Sequence, residues 1–383
     1  MEGPRERAGE GFGSAGIAAL RQKCKKCNGQ TEIEWLSLAH GTAPGYIRTM
    51  LALVAPLLLT EPLTFGSHTL DGRTYHVWLP TSPASAQAPV AIILHGRGGT
   101  GQMGAQIGGE WPELKRTHIV VGPDGPDRQW NVKGEYDGPA PPAPDDATYV
   151  GKTLIDHLAT YSNVDATSVK LVGFSNGAAL SNRINIENED PRITHILTDS
   201  SQLNTYQYRG GAFYVGGASN QYVTTKSSLT SRKVLAVVGG RDLTVPAEGG
   251  ASDDIENGEG GLMTFVQWEE SALAIATAYG YTGAKATLSP DDAISAKASY
   301  LSGQVVTVNV KEAGHVVPIV ETAKVVDLTA FLAPLAGTAE GGSGDEDDDL
   351  DDNAASRSAQ SALLAAVIVP LLIVGTRAIN RAF

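Results

Sequence analysis

The chain has 383 residues, 42% of them hydrophobic and 19% charged, a balance that fits a globular enzyme and excludes a fibrous or wholly disordered chain. Its formal charge is −13, and no basic stripe offers a footprint for nucleic acid, so that class of partner is excluded as well. The acid is concentrated: Asp345 to Asp352 holds seven carboxylates, the pattern of a solvated linker.

In chain order, residues 1–60 are Gly-rich and lack sustained periodicity, which predicts a leader that is disordered or signal-like. The two cysteines, Cys24 and Cys27, both lie there. A zinc site would need a second pair of ligands, and His40 stands alone nearby, so C-x-x-C reads as a surface pair. Met50 to Leu59 (MLALVAPLLL), preceded by Arg48, has the length of a signal-peptide core rather than of a membrane span. An unusual leader, a start at Met50 and a buried segment all remain compatible with it.

Residues 61–337 alternate short apolar runs with helical stretches, as a mostly parallel sheet covered by helices requires. Strands are predicted at Thr74–Leu79, Val90–Leu94, Ile119–Val121, Val169–Val172, Ile193–Thr198, Val234–Val238 and Val305–Val310. Helices are predicted at Thr148–Tyr161, Asn176–Asn188, Leu262–Tyr279 and Ile319–Leu332. In the first helix Tyr149, Val150, Leu154, Ile155 and Leu158 share one face. Residues 338–358 then form the acidic linker, and residues 359–383 an apolar anchor. The run Ala362–Gly375, extended by Ala359–Ser361 and Thr376, approaches spanning length with Pro370 inside it. Arg377 and Arg381 follow, as at a cytoplasmic end. The Arg-Ala-Phe terminus favours a membrane helix over a lipid-exchanged tail. The expected address is the secretory pathway, secreted or membrane-anchored, with the oligomeric state open.

The chemistry is carried by Val169-Lys170-Leu171-Val172-Gly173-Phe174-Ser175-Asn176-Gly177-Ala178, a G-x-S-x-G placed between a strand and a helix. The chain must turn sharply so that the hydroxyl stands clear of the sheet, and side chains two residues either side would collide in that turn. A helix N-cap would also accept a serine, but would not require both glycines. This is the nucleophile turn of the α/β-hydrolase fold, and Ser175 is the predicted nucleophile.

A serine needs a base, and the base needs a carboxylate to set its tautomer. The chain order in this fold is Ser, acid, His. Of eight histidines, two follow Ser175. His195 sits within an apolar strand run and reads as a satisfied core or surface residue. His315, on the Gly-containing loop after Val305–Val310, is the predicted base. Asp242, after Val234–Val238, is the predicted acid, with Asp253 and Asp254 as alternatives. The oxyanion hole needs two backbone donors. These are expected from Asn176 and from the His95-Gly96-Arg97-Gly98-Gly99 loop, at Arg97, with Gly96 or Gly98 as alternatives. His95 precedes the nucleophile and reads as structural. The aromatic-rich stretch Tyr206–Tyr222 suggests a substrate-covering insertion, with Tyr206, Tyr208 and Tyr214 as candidate substrate-binding residues.

Several segments come in an order that resembles bacterial extracellular polyhydroxybutyrate depolymerases and their feruloyl-esterase relatives. These are Leu94-His95-Gly96, Pro123-Asp124-Gly125, Trp130-Asn131, Gly173-Phe174-Ser175-Asn176-Gly177, Asp242-Leu243-Thr244-Val245-Pro246 with Glu248-Gly249-Gly250, and Gly314-His315. The resemblance spans about Gly66 to Leu332 and implies Ser175, Asp242 and His315 as the triad. Two departures stand out: Gly239-Gly240 where His-Gly is common, and Val316-Val317 where an aromatic is common. The disulfides frequent in that family are absent too.

The resulting expectation is a serine carboxylester hydrolase working through an acyl-enzyme on a small or polymeric ester. The substrate would be of polyhydroxyalkanoate or feruloyl type, and no metal or organic cofactor is implied. The alternatives are a catalytically silent, membrane-tethered binding module that keeps the hydrolase fold, and a serine peptidase.

Overall fold

The computed structural model describes residues 25–27, 30–32, 60–83, 85–132, 145–218, 220–315, 317, 322–324 and 326–333. Met50–Leu59, the acidic linker and the apolar run Ala362–Gly375 lie outside the described residues; of the leader, Lys25–Cys27 and Gln30–Glu32 pair antiparallel. Among the described residues no helix is long and apolar enough to cross a membrane.

The centre is a nine-stranded sheet. Its strands in chain order are β1 (Gly66–Leu70), β2 (Arg73–Trp78), β3 (Ala88–Leu94), β4 (Ile119–Pro123), β5 (Val164–Phe174), β6 (Ile193–Asp199), β7 (Lys233–Gly239), β8 (Ser295–Tyr300) and β9 (Val305–Val310). Their spatial order is β1-β2-β4-β3-β5-β6-β7-β9-β8. The block from β4 through β9 is parallel, while β1, β2 and β8 run antiparallel to their neighbours. This strand order, with a sharp strand-to-helix turn after the fifth strand, is the α/β-hydrolase fold.

Parallel strands buried on both faces need apolar residues at nearly every position, and β3 supplies them. Ala88, Val90, Ile92 and Leu94 join the core on one face, and Ala91 and Ile93 the core on the other. On the first face lie three helical segments. They are α1 (Asp146–Thr148, continuing through the π-helical Tyr149–Leu154 to Ile155–Leu158), α2 (Asn176–Glu187) and α3 (Trp268–Ala278). All five residues of the predicted stripe, Tyr149, Val150, Leu154, Ile155 and Leu158, are buried there.

Two expectations need correction. The predicted helix Leu262–Tyr279 is in two parts: Leu262–Phe265 pairs with Gly250–Glu256 as a hairpin, and the helix starts only at Trp268. The period decides this, since Met263 and Phe265 are buried two apart, and Gln267 caps the helix by accepting from the Glu270 N–H. Of the predicted helix Ile319–Leu332, residues 322–324 and Leu328–Leu332 are helical, interrupted at 326–327, with Asp327 capping the second part. A helix not predicted, Gly101–Glu110, forms where propensity argues against it, because it contains four glycines.

Those glycines are demanded by packing. The helix lies so close to the sheet that a Cβ on Gly101 would stand 2.2 Å from the carbonyl oxygen of Gly122, and one on Gly122 would stand 1.9 Å from that of Gly101. Backbone cannot yield as a flexible side chain does. Gly122→Ala is therefore expected to cost about 3 kcal/mol and to lower Tm by roughly 6–12 °C. A melting curve within a degree of the parent would contradict this packing.

Candidate active site

Ser175 stands between the last residue of β5, Phe174, and the first of α2, Asn176, at φ 50° and ψ −118°. Few L residues adopt that backbone, and the surroundings hold it there. The Ser175 N–H donates to the Asp199 carbonyl at 2.8 Å. A Cβ at Gly173 would meet the Gly177 carbonyl oxygen at 2.3 Å, and one at Gly177 the Leu94 carbonyl oxygen at 2.4 Å. Both glycines of the motif are thus required by close approach.

The hydroxyl Oγ of Ser175 lies 2.8 Å from Nε2 of His315, and His315 Nδ1 lies 2.8 Å from Oδ2 of Asp242. The remaining oxygen of Asp242 accepts the Val245 N–H at 2.9 Å. The three residues come from the ends of β5, β7 and β9. The loops carrying Asp242 and His315 are stitched together: Gly240 N–H donates to the Val310 carbonyl, and Arg241 N–H to that of Ala313. A side chain at Gly239 would meet the Gly314 carbonyl oxygen at 2.1 Å. Gly239 and Gly240, read from sequence as a departure from a family pattern, are where these two loops touch.

Asp242 has a side chain only 1% exposed, so its charge acts on the imidazole through low-dielectric surroundings. Burial by itself disfavours the imidazolium of His315. The hydrogen bond and charge of Asp242, joined by the charges of Asp254 and Asp199, outweigh that and raise its pKa above the ordinary 6.5. Asp253 and Asp254 are exposed. Asp254 is engaged with Ser252 and Thr244, so neither alternative acid occupies the position that Asp242 fills. His195 is buried, with its ring nitrogens near Thr194 Oγ1 and the Ala333 carbonyl; burial pushes its pKa down to about 3. It belongs to the core.

The loop after β3 reaches Ser175, since a Cβ built on Gly96 would lie 3.4 Å from the Ser175 Cβ. His95 shapes this loop. Its Nε2 accepts the Gly125 N–H at 3.0 Å, which leaves Nδ1 to carry the hydrogen and donate to the Gly96 carbonyl at 2.8 Å. Gly99 N–H donates to the same carbonyl. Because the peptide between Gly96 and Arg97 is planar and trans, fixing its oxygen turns the Arg97 N–H the opposite way. Burial lowers the His95 pKa, which keeps the ring neutral and this tautomer in place. The Asn176 side chain is pinned as well: its Oδ1 accepts the Trp130 N–H at 2.6 Å, and the Trp130 indole donates to the His95 carbonyl at 2.8 Å. That His95 and Trp130 hold this loop and the Asn176 side chain was not found by patterning. The signal for them was the two short segments Leu94-His95-Gly96 and Trp130-Asn131.

The three candidate substrate tyrosines do not form one surface. In the short antiparallel pair of Tyr208–Arg209 with Ala212–Val215, Tyr208 lies opposite Phe213, so both point to one face, their rings 4.9 Å apart and packed against the core. Tyr214 follows Phe213 and faces the other way, where the Arg209 guanidinium lies 3.5 Å over its ring. Tyr206 packs on Val245, Met263 and Phe265, beside the loop that carries Asp242.

No family model matches the chain, and no curated protein matches it. Solved structures do. An acetyl xylan esterase from Aspergillus awamori aligns at 14% identity over 70% of this chain and 100% of that one, with a TM-score of 0.49. Acyl-protein thioesterase 2 of Zea mays aligns at 18% identity over 68% of this chain and 99% of that one, with a TM-score of 0.38. A poly(3-hydroxybutyrate) depolymerase from Bordetella parapertussis aligns at 15% identity over 47% of this chain and 67% of that one, with a TM-score of 0.34.

Proposed function

We propose that this protein is a serine carboxylester hydrolase in which Ser175, His315 and Asp242 act as nucleophile, base and acid. The observation that carries the reading is the unbroken relay from Ser175 Oγ through His315 to Asp242, with 2.8 Å at each step. His315 Nε2 takes the hydroxyl proton as Ser175 Oγ attacks the ester carbonyl. The Asn176 and Arg97 backbone N–H groups hold the oxyanion of the tetrahedral intermediate. His315 then returns the proton to the departing alcohol, leaving an acyl-serine. Water attacks the acyl carbon, giving its proton to His315, and Ser175 Oγ leaves and is reprotonated as the acid is released.

Polyhydroxyalkanoate-type and feruloyl-type esters are the substrate classes we put forward, on the resemblance of the segments around Ser175, Asp242 and His315. Tyr206, beside the acid loop, is the aromatic best placed to border such a substrate. A fluorophosphonate probe is expected to label the parent protein at Ser175 and to miss Ser175→Ala; an unlabelled parent would favour a silent binding module. A panel of p-nitrophenyl esters, polyhydroxybutyrate, feruloyl sugars and peptides would then separate esterase from peptidase.

Rate should depend on pH in one direction. The base works only when neutral, so kcat/KM is expected to fall as pH drops through the pKa of His315. With that pKa raised, the midpoint of the acidic limb should lie above 6.5. A midpoint below pH 6 would contradict the ion pair with Asp242.

The apolar tail is proposed as a membrane anchor. Lys233, the first residue of β7, donates to the carbonyls of Ala330, Phe331 and Ala333. The chain therefore leaves the described domain at the end of the parallel strands opposite the triad. Residues 343–383 fused to a soluble reporter should resist carbonate extraction; a reporter released to the supernatant would reject the anchor.

A further inference from the structure

We infer that Trp130 is a positioning residue for the oxyanion side of the site, its indole N–H holding the two donor-bearing loops in register. The inference rests on the reading of Ser175, His315 and Asp242 as a triad with Asn176 and Arg97 as the backbone donors.

Trp130 is fully buried and lies on the segment after β4, outside both loops. Through its main chain it meets the loop of the nucleophile. Its N–H donates to Asn176 Oδ1 at 2.6 Å, and its carbonyl accepts from Asn176 Nδ2 at 3.2 Å. Through its side chain it meets the loop after β3. The indole Nε1–H donates to the His95 carbonyl at 2.8 Å, and the indole packs 4.9 Å from the imidazole. Two successive peptide planes are set in this way. The indole fixes the plane that joins His95 to Gly96. The imidazole packed on it fixes the next, from Gly96 to Arg97, by donating from Nδ1 to the Gly96 carbonyl at 2.8 Å. That second plane carries the Arg97 N–H.

The His95 carbonyl sits at the seam between the loops, since a Cβ at Gly177, two residues past Ser175, would stand 2.6 Å from its oxygen. Trp130 is anchored from the far side. The Asn131 N–H donates to Asp146 Oδ2 at 2.7 Å, and the buried Asp146 pairs with Arg73 of β2 at 2.7 Å. Gly125 leaves the ring its space, because a Cβ there would stand 3.2 Å from Trp130 Cδ2.

The main-chain bonds of residue 130 would survive a change of side chain; the indole bond would not. Phenylalanine keeps a ring at this place but offers no donor to the carbonyl of His95, a residue only 4% exposed. A buried carbonyl that loses its donor is costly, so the loop shifts to find another. A displaced donor penalises the full charge of the oxyanion more than the neutral ester carbonyl, so the loss falls on kcat rather than on KM.

With p-nitrophenyl acetate, Trp130→Phe is expected to lower kcat about thirtyfold, less than the loss of a whole donor, with KM within about threefold. An aryl trifluoromethyl ketone forms a hemiketal oxyanion on Ser175 between the same donors. Its Ki should rise by the factor by which kcat/KM falls. The acidic limb of kcat/KM should keep the parent's midpoint, because Trp130 is bonded to His95 and Asn176 whereas His315 is bonded to Ser175 and Asp242. A general loosening of the site would move KM and the limb as well. Benzothienylalanine at position 130, with sulfur where the indole has N–H and nearly the same outline, should reproduce the effect. It decides alone if the phenylalanine variant does not fold. A folded variant with kcat within about threefold of the parent, an unchanged Ki, or a loss shared by KM and the limb would overturn the inference. Fluorophosphonate labelling keeps the two ideas apart: an unlabelled parent rejects the triad, whereas a labelled parent with insensitive position-130 variants rejects only the role of Trp130.

Discussion

Ser175→Ala is expected to reduce kcat for ester hydrolysis on the order of a millionfold, with the protein still folded. The size follows from the mechanism, because no acyl-enzyme can form without the hydroxyl, and removal of a triad nucleophile costs about that much. The fold should survive because the hydroxyl carries no structural load. Its partner is His315 Nε2, and the elbow is held by the backbone bond to Asp199 and by Gly173 and Gly177. Alanine must still adopt φ 50°, which serine already does. The measurement is single-turnover and steady-state hydrolysis of a p-nitrophenyl ester beside a thermal melt. Turnover within about tenfold of the parent would move the nucleophile elsewhere.

The second large effect concerns Asp242→Asn, expected to lower kcat about ten-thousandfold. Asp242 Oδ2 sits 2.8 Å from His315 Nδ1, and its other oxygen is taken by the Val245 N–H. An amide in that place keeps Oδ1 on Val245 and presents its NH2 to Nδ1. The ring then carries its hydrogen on Nε2, the nitrogen that must accept the Ser175 proton. The wrong tautomer cannot act as base. Asp253→Asn and Asp254→Asn should each stay within about fivefold, since exposed charges are screened by solvent. If either exposed aspartate proved the more harmful change, the relay would run through the hairpin Gly250–Glu256 instead.

Legibility from sequence followed the range of the forces involved. The parallel strands were readable because burial on both faces demands apolar residues in succession, and β3, β5, β7 and β9 declare it. Ser175, His315 and Asp242 were readable because the elbow has a strict steric signature and because the chain order of the fold leaves few histidines and acids to choose from. The edge strands β1 and β8 were not found. Both consist mostly of small and polar residues (GSHTL and SAKASY), so they carry no run of apolar positions, although each pairs with the strand next to it in the chain. The hairpin strand Leu262–Phe265 merged with the following helix because its pairing with Gly250–Glu256 leaves no mark in its own four residues.

What the local sequence determined by itself was therefore the elbow, the positions of the sheet's parallel strands and the short list of side chains from which Ser175, His315 and an acid come. Each follows from short-range sterics or from the burial period of a few residues. What only the tertiary structure decided were contacts between segments far apart in the chain. The helix Gly101–Glu110 exists because Gly101 and Gly122 let two backbones touch, a gain that outweighs poor helix propensity. The choice of Asp242 over Asp253 and Asp254 came from which carboxylate is buried against the imidazole. The separation of Tyr208 from Tyr214 came from strand pairing. Side-chain patterns record which residues avoid water; they do not record which of those residues meet, and catalysis depends on the meeting.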